Sequence, residues 1–295
     1  MDMELGFVGL GMMGLPISLN LLTAGVRLRV FNRTASKAEA LVANGATLVG
    51  SPGNTAAPGG VVMTMLANDE AVEAMVVGDE GLAVRLAPGG IHVSMSTISP
   101  ATARHLAHYH AEHGSIYVAS PVFGRPDNAL ARRLVMCTSG PAAAKERVRP
   151  LLESVSLKMF DFGEEPGAAN VMKVAGNFLI AAALESMAEA FTMAEQNGVD
   201  RKKVAEVLST TLFACPVYQG YAEMIAAKRH TPAGFKLSLG LKDIELVQKT
   251  AAEVRVAMPV AALVHERLIA ALAHGRDDMD WSALALGVLD DAGIN

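Results

Sequence analysis

The chain predicts an α/β fold: a doubly wound, parallel sheet followed by an all-helical second part. Three observations carry that expectation. Short apolar runs of strand length alternate with helical patterns as far as residue 162. A break at Glu165-Pro166-Gly167 ends the alternation. Beyond it the sequence keeps a helical period with few breakers. At 295 residues the chain has room for two domains, expected at 1–163 and 164–295.

The first strand, Glu4–Gly9, runs into Gly9-Leu10-Gly11-Met12-Met13-Gly14, and a helical stretch follows at once from Leu15 to Ala24. This strand–turn–helix setting is what the dinucleotide fingerprint G-x-G-x-x-G requires. Gly9 would allow the tight turn. Gly11 would let the backbone approach a pyrophosphate, and Gly14 would let the helix pack close to the strand. Leu10, Met12 and Met13 complete the loop, whose N–H groups would face the phosphates at a helix N-terminus.

The second strand, Val26–Phe31, stops at Asn32-Arg33-Thr34. An NAD-selective site has an acidic residue here for the ribose 2′-hydroxyl; this chain has none. Arg33 and Thr34, with Lys37 a helical turn further on, suit a 2′-phosphate, so NADP(H) is the expected cofactor. The alternative is a solvated basic turn.

Further strands are expected at Thr47–Val49, Val61–Leu66, Gly90–Met95, Ile116–Ala119, Leu134–Thr138 and Leu157–Phe162. Ligands of open α/β sheets lie beyond the carboxyl ends of strands. Ser96 and Thr97 are therefore candidate substrate hydroxyls, while Ser99-Pro100 reads as an N-cap with Pro at N1. Ser120-Pro121-Val122-Phe123-Gly124-Arg125-Pro126 also follows a strand. It could bring N–H groups and an arginine to the cleft, or form a rigid turn.

The helix from Gly167 to about Asn197, with Gly198 as its C-cap, would run roughly 45 Å and connect two lobes. On it Lys173 and Asn177 are four apart and share a face. Their neighbours are small or apolar, so a ligand could approach closely. In a cleft, desolvation would bring the lysine towards proton-transfer duty; the other reading is a surface lysine with an Asn partner. Helices follow at about 200–211, 216–228, 234–254 and 259–274. Phe235 and Asp243, just over two turns apart, would share a face of one of them. The Lys242/Asp243 pair is weighted towards solvent.

Composition excludes several classes. The net charge of −5 and pI of about 5.9 give no global attraction to nucleic acid or anionic membranes. Two cysteines, Cys137 and Cys215, make neither a disulfide framework nor a metal set, which suits a cytoplasmic setting. His105, His108, His110 and His113 spread round one predicted helix without metal-ligand spacing, and a solvated helix is expected there. No signal peptide is expected. No apolar run reaches bilayer length; the best, Phe178–Ala183, is flanked by Lys173 and Glu185.

Taken together, four segments resemble the β-hydroxyacid dehydrogenase family: Gly6 to Pro16, Ser96-Thr97-Ile98-Ser99-Pro100, Gly167-Ala-Ala-Asn-Val-Met-Lys173-Val-Ala-Gly-Asn177, and Lys242-Asp243. The resemblance spans nearly the whole chain. It implies a Rossmann domain plus an all-α domain, a homodimer or homotetramer, and a small carbonyl or hydroxy-acid substrate. Lys173 matches the catalytic lysine that gives or takes the proton at the substrate oxygen, and Asn177 the asparagine that positions substrate and lysine. Ser96 and Thr97 match the loop between nicotinamide and substrate; Phe235 and Asp243 match active-site positions of the second domain that meet the substrate, and Lys242 a position that binds the cofactor. Leu66, Ala67 and Asn68 match the loop that passes the cofactor.

The chain departs from the family at 119–125. Where relatives commonly read Asp-Ala-Pro-Val-Ser-Gly-Gly, it reads Ala119-Ser120-Pro121-Val122-Phe123-Gly124-Arg125. The serine that helps hold a substrate carboxylate is Phe123, and the second glycine is Arg125. Three functions compete: NADPH-dependent reduction of a small aldehyde or ketone (or oxidation of a 3-hydroxy acid), imine reduction on apolar C=N substrates, and a non-catalytic cofactor-binding module. Retention of Lys173 favours carbonyl chemistry.

Overall fold

A computed structural model describes residues 4–294. The chain falls into two compact units, divided between Lys173 and Val174.

In the first unit, β1 (Glu4–Val8), α1 (Gly14–Thr23), β2 (Arg27–Phe31), α2 (Glu39–Ala43), β3 (Thr47–Leu48), β4 (Val61–Thr64), α3 (Asp69–Val76), α4 (Leu82–Leu86), β5 (Ile91–Ser94), α5 (Pro100–Glu112) and β6 (Ile116–Ala119) follow one another. The six strands pair in parallel in the order β3-β2-β1-β4-β5-β6. Crossover helices cover both faces, so the inner strands are buried on both sides. Leu5 and Phe7 of β1 pack with Ile17, Leu21 and Met63 on one face. Val8 packs with Val62, Val72 and Leu106 on the other. The order reverses at β1 and β4, and the crevice at such a reversal is where open sheets bind ligands.

The chain continues with β7 (Val122–Phe123), α6 (Pro126–Leu130), β8 (Leu134–Thr138), α7 (Ala142–Glu153) and β9 (Ser156–Asp161). Here the structure departs from one continuous doubly wound sheet. β7 runs antiparallel to β8, and β8 parallel to β9, in a separate three-stranded sheet. Pro121, which has no N–H, stands between β6 and β7, and among the described residues an isolated bridge, Ala119 to Ser139, joins the two sheets.

The helix expected to be solvated, α5, does not keep all its histidines in water. His110 on α5 and His92 on β5 are fully buried. Thr64 Oγ1 meets His92 Nε2 at 2.9 Å, and His92 Nδ1 meets His110 Nε2 at 3.0 Å. His110 Nδ1 meets Ser115 Oγ at 2.8 Å, and Ser115 donates to the carbonyl of Ala83. Burial holds His92 well below its ordinary range, and His110 is pushed down to about 3, chiefly by burial.

α8 (Ala168–Gln196) begins in the first unit and continues through the second. Its start is tied down by Ser139, whose hydroxyl accepts from Ala169 N–H at 3.1 Å and donates to Pro166 at 3.0 Å. Gly167 is needed there, because a Cβ would come within 2.9 Å of the Pro100 carbonyl. α8 is also apolar enough to cross a bilayer, with a mean hydropathy of 1.3 over its best window, contrary to the sequence expectation. Its buried face, Leu184, Met187, Ala188 and Phe191, instead forms the core of the second unit.

α9 (Arg201–Thr210), α10 (Pro216–Ala226), α11 (Leu237–Glu253), α12 (Pro259–Ala273) and α13 (Leu284–Asp291) pack around that core. Trp281 sits at its centre and donates from Nε1 to the Tyr221 hydroxyl at 2.6 Å. α11 begins at Leu237, so Phe235 lies in the preceding turn and the two-turn spacing to Asp243 does not apply.

Candidate active site

The β1–α1 loop meets each requirement of a phosphate cradle. Gly9 has φ +99, and a Cβ there would lie 2.3 Å from the Met65 carbonyl. A Cβ on Gly14 would fall 1.9 Å from Gly9 O. Gly11 faces open space, with nothing within 4 Å of a Cβ position, and Met12 beside it is exposed. Met13 holds the N-cap position of α1, so the loop Gly11-Met12-Met13 leads directly into the helix N-terminus. Leu10 is buried and its N–H donates to Asn32 Oδ1 at 2.9 Å, which fastens the loop to the end of β2.

Asn32 also donates to the Thr34 carbonyl at 2.9 Å. Both ends of its amide serve the backbone. Arg33, Thr34 and Lys37 beyond it are exposed, with Lys37 in a short 3₁₀ turn rather than an α-helical one.

The loops after β4 and β5 are fastened together. Leu66 N–H donates to Ser96 Oγ at 2.8 Å. Ser96 is fully buried, so its side chain links the loops, while Thr97 beside it is half-buried. Asn68 caps α3 by accepting from Ala71 N–H at 3.0 Å; Ala67 is exposed. Asp69 accepts from Ser99 N–H at 2.9 Å and from the Thr102 hydroxyl at 2.8 Å. Ser99 caps α5 with Pro100 at its first position, as its sequence suggests.

Lys173 lies about one and a half turns from the start of α8 and is buried, 9% exposed. Its Nζ stands 4.4 Å from the centre of the Phe123 ring. A cation over an aromatic face is an attractive arrangement. The Phe123 segment therefore faces the lysine. The Cys137 thiol is pushed up to about 11 by burial, drawn partly back by the Lys173 charge. One residue escaped the sequence reading: Asn170, buried and one turn before Lys173, donates to the Ile98 carbonyl at 3.3 Å. It ties the lysine's helix to the Thr97 loop. Its i, i+3 spacing to Lys173 was the available signal.

Gly124 has φ +134, and Arg125 is half-buried at the N-cap of α6, its N–H donating to Asn128 Oδ1 at 3.0 Å. Those constraints set the backbone of the altered segment.

In the second unit, Asn177 donates to Asp243 Oδ2 at 2.5 Å, and Lys242 Nζ pairs with Asp243 Oδ1 at 2.6 Å. Asp243 is 1% exposed, so the expected solvent-facing pair is instead a largely buried one. Phe235 packs edge-to-face on Trp281, with ring centres 4.7 Å apart. Its N–H donates to Asp280 at 3.2 Å. Among the described residues no group of three or more His, Cys, Asp or Glu could hold a metal ion.

Residues 4–163 match the family model for the NAD-binding domain of 6-phosphogluconate dehydrogenase. Residues 167–287 match that for the NAD-binding region of NADP-dependent 3-hydroxyisobutyrate dehydrogenase. The chain belongs to the 3-hydroxyisobutyrate dehydrogenase-like β-hydroxyacid dehydrogenase family. Like that family, it is an NAD(P)-dependent oxidoreductase acting on hydroxyl and carbonyl groups. It is 44% identical over 282 residues to the oxidoreductase YfjR of Bacillus subtilis, covering 96% of this chain and 98% of that one. It is 33% identical over 287 residues to the NAD-dependent L-serine dehydrogenase of Pseudomonas aeruginosa, covering 95% and 96%. Among solved structures, the Mycobacterium tuberculosis 3-hydroxyisobutyrate dehydrogenase with L-serine superposes with a TM-score of 0.86 at 28% identity, covering 97% and 98%. An imine reductase from Streptomyces aurantiacus superposes less closely, with a TM-score of 0.66 at 26% identity over 98% and 99%.

Proposed function

We propose that this β-hydroxyacid dehydrogenase uses NADP(H) to reduce a small aldehyde or ketone, or in reverse to oxidise a 3-hydroxy acid, with Lys173 exchanging the proton at the substrate oxygen. The observation that carries this reading is the setting of Lys173: a buried lysine beside the Phe123 ring, on a helix tied by Asn170 to the Thr97 loop. A nicotinamide held at the β1–α1 loop would supply or accept the hydride. In reduction the Lys173 ammonium gives its proton to the oxygen as the carbonyl π pair moves there; in oxidation the neutral amine takes the hydroxyl proton. The family resemblance assigns substrate-holding roles to Thr97 and to Asn177, whose side-chain amide is oriented by Asp243.

Cofactor choice rests on the end of β2. No carboxylate stands there to repel a 2′-phosphate, and Arg33, Thr34 and Lys37 are exposed to meet one. A relative named as NAD-dependent makes this a point to measure. The family resemblance also suggests a homodimer or homotetramer in the cytoplasm. Imine reduction is favoured less, because that branch usually lacks the lysine and its representative superposes less closely.

The test is Lys173→Met. NADPH oxidation over glyoxylate, succinic semialdehyde, apolar ketones and cyclic imines should show carbonyl reduction by the unaltered chain. The variant should lose about 10²–10⁴ in kcat, the usual weight of a positioned acid or base, and keep its cofactor affinity. Near-full activity in Lys173→Met would remove the lysine from the chemistry.

A further inference from the structure

The segment carrying Phe123 and Arg125 is anchored from behind. α6 follows Arg125 directly and has only five residues, far too few to hold a helix on their own. Asn20 of α1, 7% exposed, reaches its far end. Its Nδ2 donates to the Ala129 carbonyl at 2.7 Å and to the Leu130 carbonyl at 3.2 Å. These are the last two carbonyls of α6, groups a helix cannot satisfy internally. Asn20 Oδ1 in turn accepts from Arg132 Nε at 3.3 Å.

The side-chain amide of one helix thus caps the end of another, 109 residues later in the chain. Arg132 adds an independent sign of constraint. It holds a left-handed backbone, φ +57, just past the helix end, a place usually given to glycine. A glycine there could not make the guanidinium bond to Asn20.

We propose that Asn20 is a positioning residue: by clamping α6 to α1, it sets where Phe123 stands against Lys173. α1 is the helix whose N-terminus fits the cofactor phosphates, so the clamp links the cofactor's helix to the segment facing the proton donor. The proposal rests on the reading of Lys173 given above.

The experiment uses the full chain with Asn20→Ala and Asn20→Asp, the latter setting a carboxylate against two carbonyl oxygens. Hydrogen exchange read by mass spectrometry, without cofactor, should show amides of 124–133 exchanging at least tenfold faster, with the rest of the first unit unchanged. KM for the carbonyl should rise about tenfold, in line with the sensitivity of such chemistry to small misplacements, while NADPH affinity stays within twofold. In the double variant Asn20→Ala/Phe123→Leu, the loss in kcat/KM should be smaller than the product of the single losses, because Asn20 acts through Phe123. If Asn20→Ala does not fold, Arg132→Gly suits the left-handed backbone and removes one bond of the clamp. It should raise exchange over the same stretch by a smaller factor.

Unchanged exchange over 124–133, cofactor affinity falling by the same factor as KM rises, or single losses that simply multiply would each overturn the proposal. Failure of the Lys173 assignment reads out separately, as activity retained in Lys173→Met.

Discussion

Phe123→Ser restores the residue that relatives commonly carry where this chain departs, and its effect can be worked from the geometry. The Phe123 ring centre is 4.4 Å from Lys173 Nζ, so a group bound to the lysine meets that ring. A ring contributes no hydrogen bond to a carboxylate and takes the space one would fill. A serine hydroxyl would supply one bond to a charged group, roughly 1.5–3 kcal/mol, and would open room. Set against this is the lost attraction between ring and ammonium, about 0.5–2 kcal/mol, which affects acidic and neutral substrates alike and cancels from their ratio. The expected outcome is a rise of about tenfold or more in kcat/KM for succinic semialdehyde relative to a neutral aldehyde of similar length. The assay is NADPH oxidation on both substrates. Arg125→Ala serves as the control, since Arg125 could bind a carboxylate by itself. If Arg125→Ala raises KM for the acid alone, while Phe123→Ser leaves the ratio unchanged, the argument from Phe123 fails and the arginine carries the carboxylate.

Arg33→Ala should shrink the preference for NADPH over NADH, which charge-assisted contacts would set at about 1–3 kcal/mol; equal affinity of the unaltered chain for both, by fluorescence titration, would refute the assignment. Gly11→Ala should leave stability unchanged, since its Cβ meets open space, yet weaken NADPH at least tenfold; Gly14→Ala, whose Cβ would fall on Gly9 O, should lower Tm outright. Both follow from calorimetry and a binding titration. His110 is neutral when folded, with its value down to about 3, and near 6.5 when unfolded. Between those values the unfolded chain binds the extra proton, so stability is full above about pH 6.5 and falls as pH drops, by about 1.4 kcal/mol per unit. Urea denaturation of His110→Gln should show a slope smaller by one proton between pH 6 and 4; an identical slope would mean the histidine is not held neutral.

What could be read from the sequence followed from how strictly each position is constrained. β1 and its glycines were legible because a strand feeding G-x-G-x-x-G has few other uses. α8 was legible because its period runs for many turns, and its first residue fell one position from expectation. The separate small sheet was not. β7 has two residues, too few for an alternation to register, and its pairing with β8 is a tertiary choice. His110 was read as solvated because the four histidines spread round one helix without metal-ligand spacing; its burial comes with His92, eighteen residues earlier on another element. Asp243 misled for the same reason: an adjacent lysine suggests solvent, and only Asn177, 66 residues away, explains its burial. No helix was expected past 274; α13 follows the acidic connection Asp277–Asp280, where Asp280 caps the turn into Trp281 by accepting from Ser282 N–H at 3.1 Å.

The row Thr64–His92–His110–Ser115 has a direction, and that direction follows from one end. The Ala83 carbonyl can only accept, so the Ser115 hydroxyl spends its single proton there. Ser115 must then accept from His110 Nδ1–H, which leaves His110 Nε2 bare to accept from His92 Nδ1–H. His92 Nε2 is bare in turn and takes the Thr64 proton. Both rings are therefore locked with hydrogen on Nδ1, the tautomer less favoured by free imidazole in water. The row behaves like a line of magnets laid head to tail: no member can reverse unless all do, and the fixed carbonyl forbids reversal. Nitrogen NMR would find two buried imidazoles of one orientation, and substitutions within the row would be tolerated only in combinations that keep one donor facing one acceptor along its whole length.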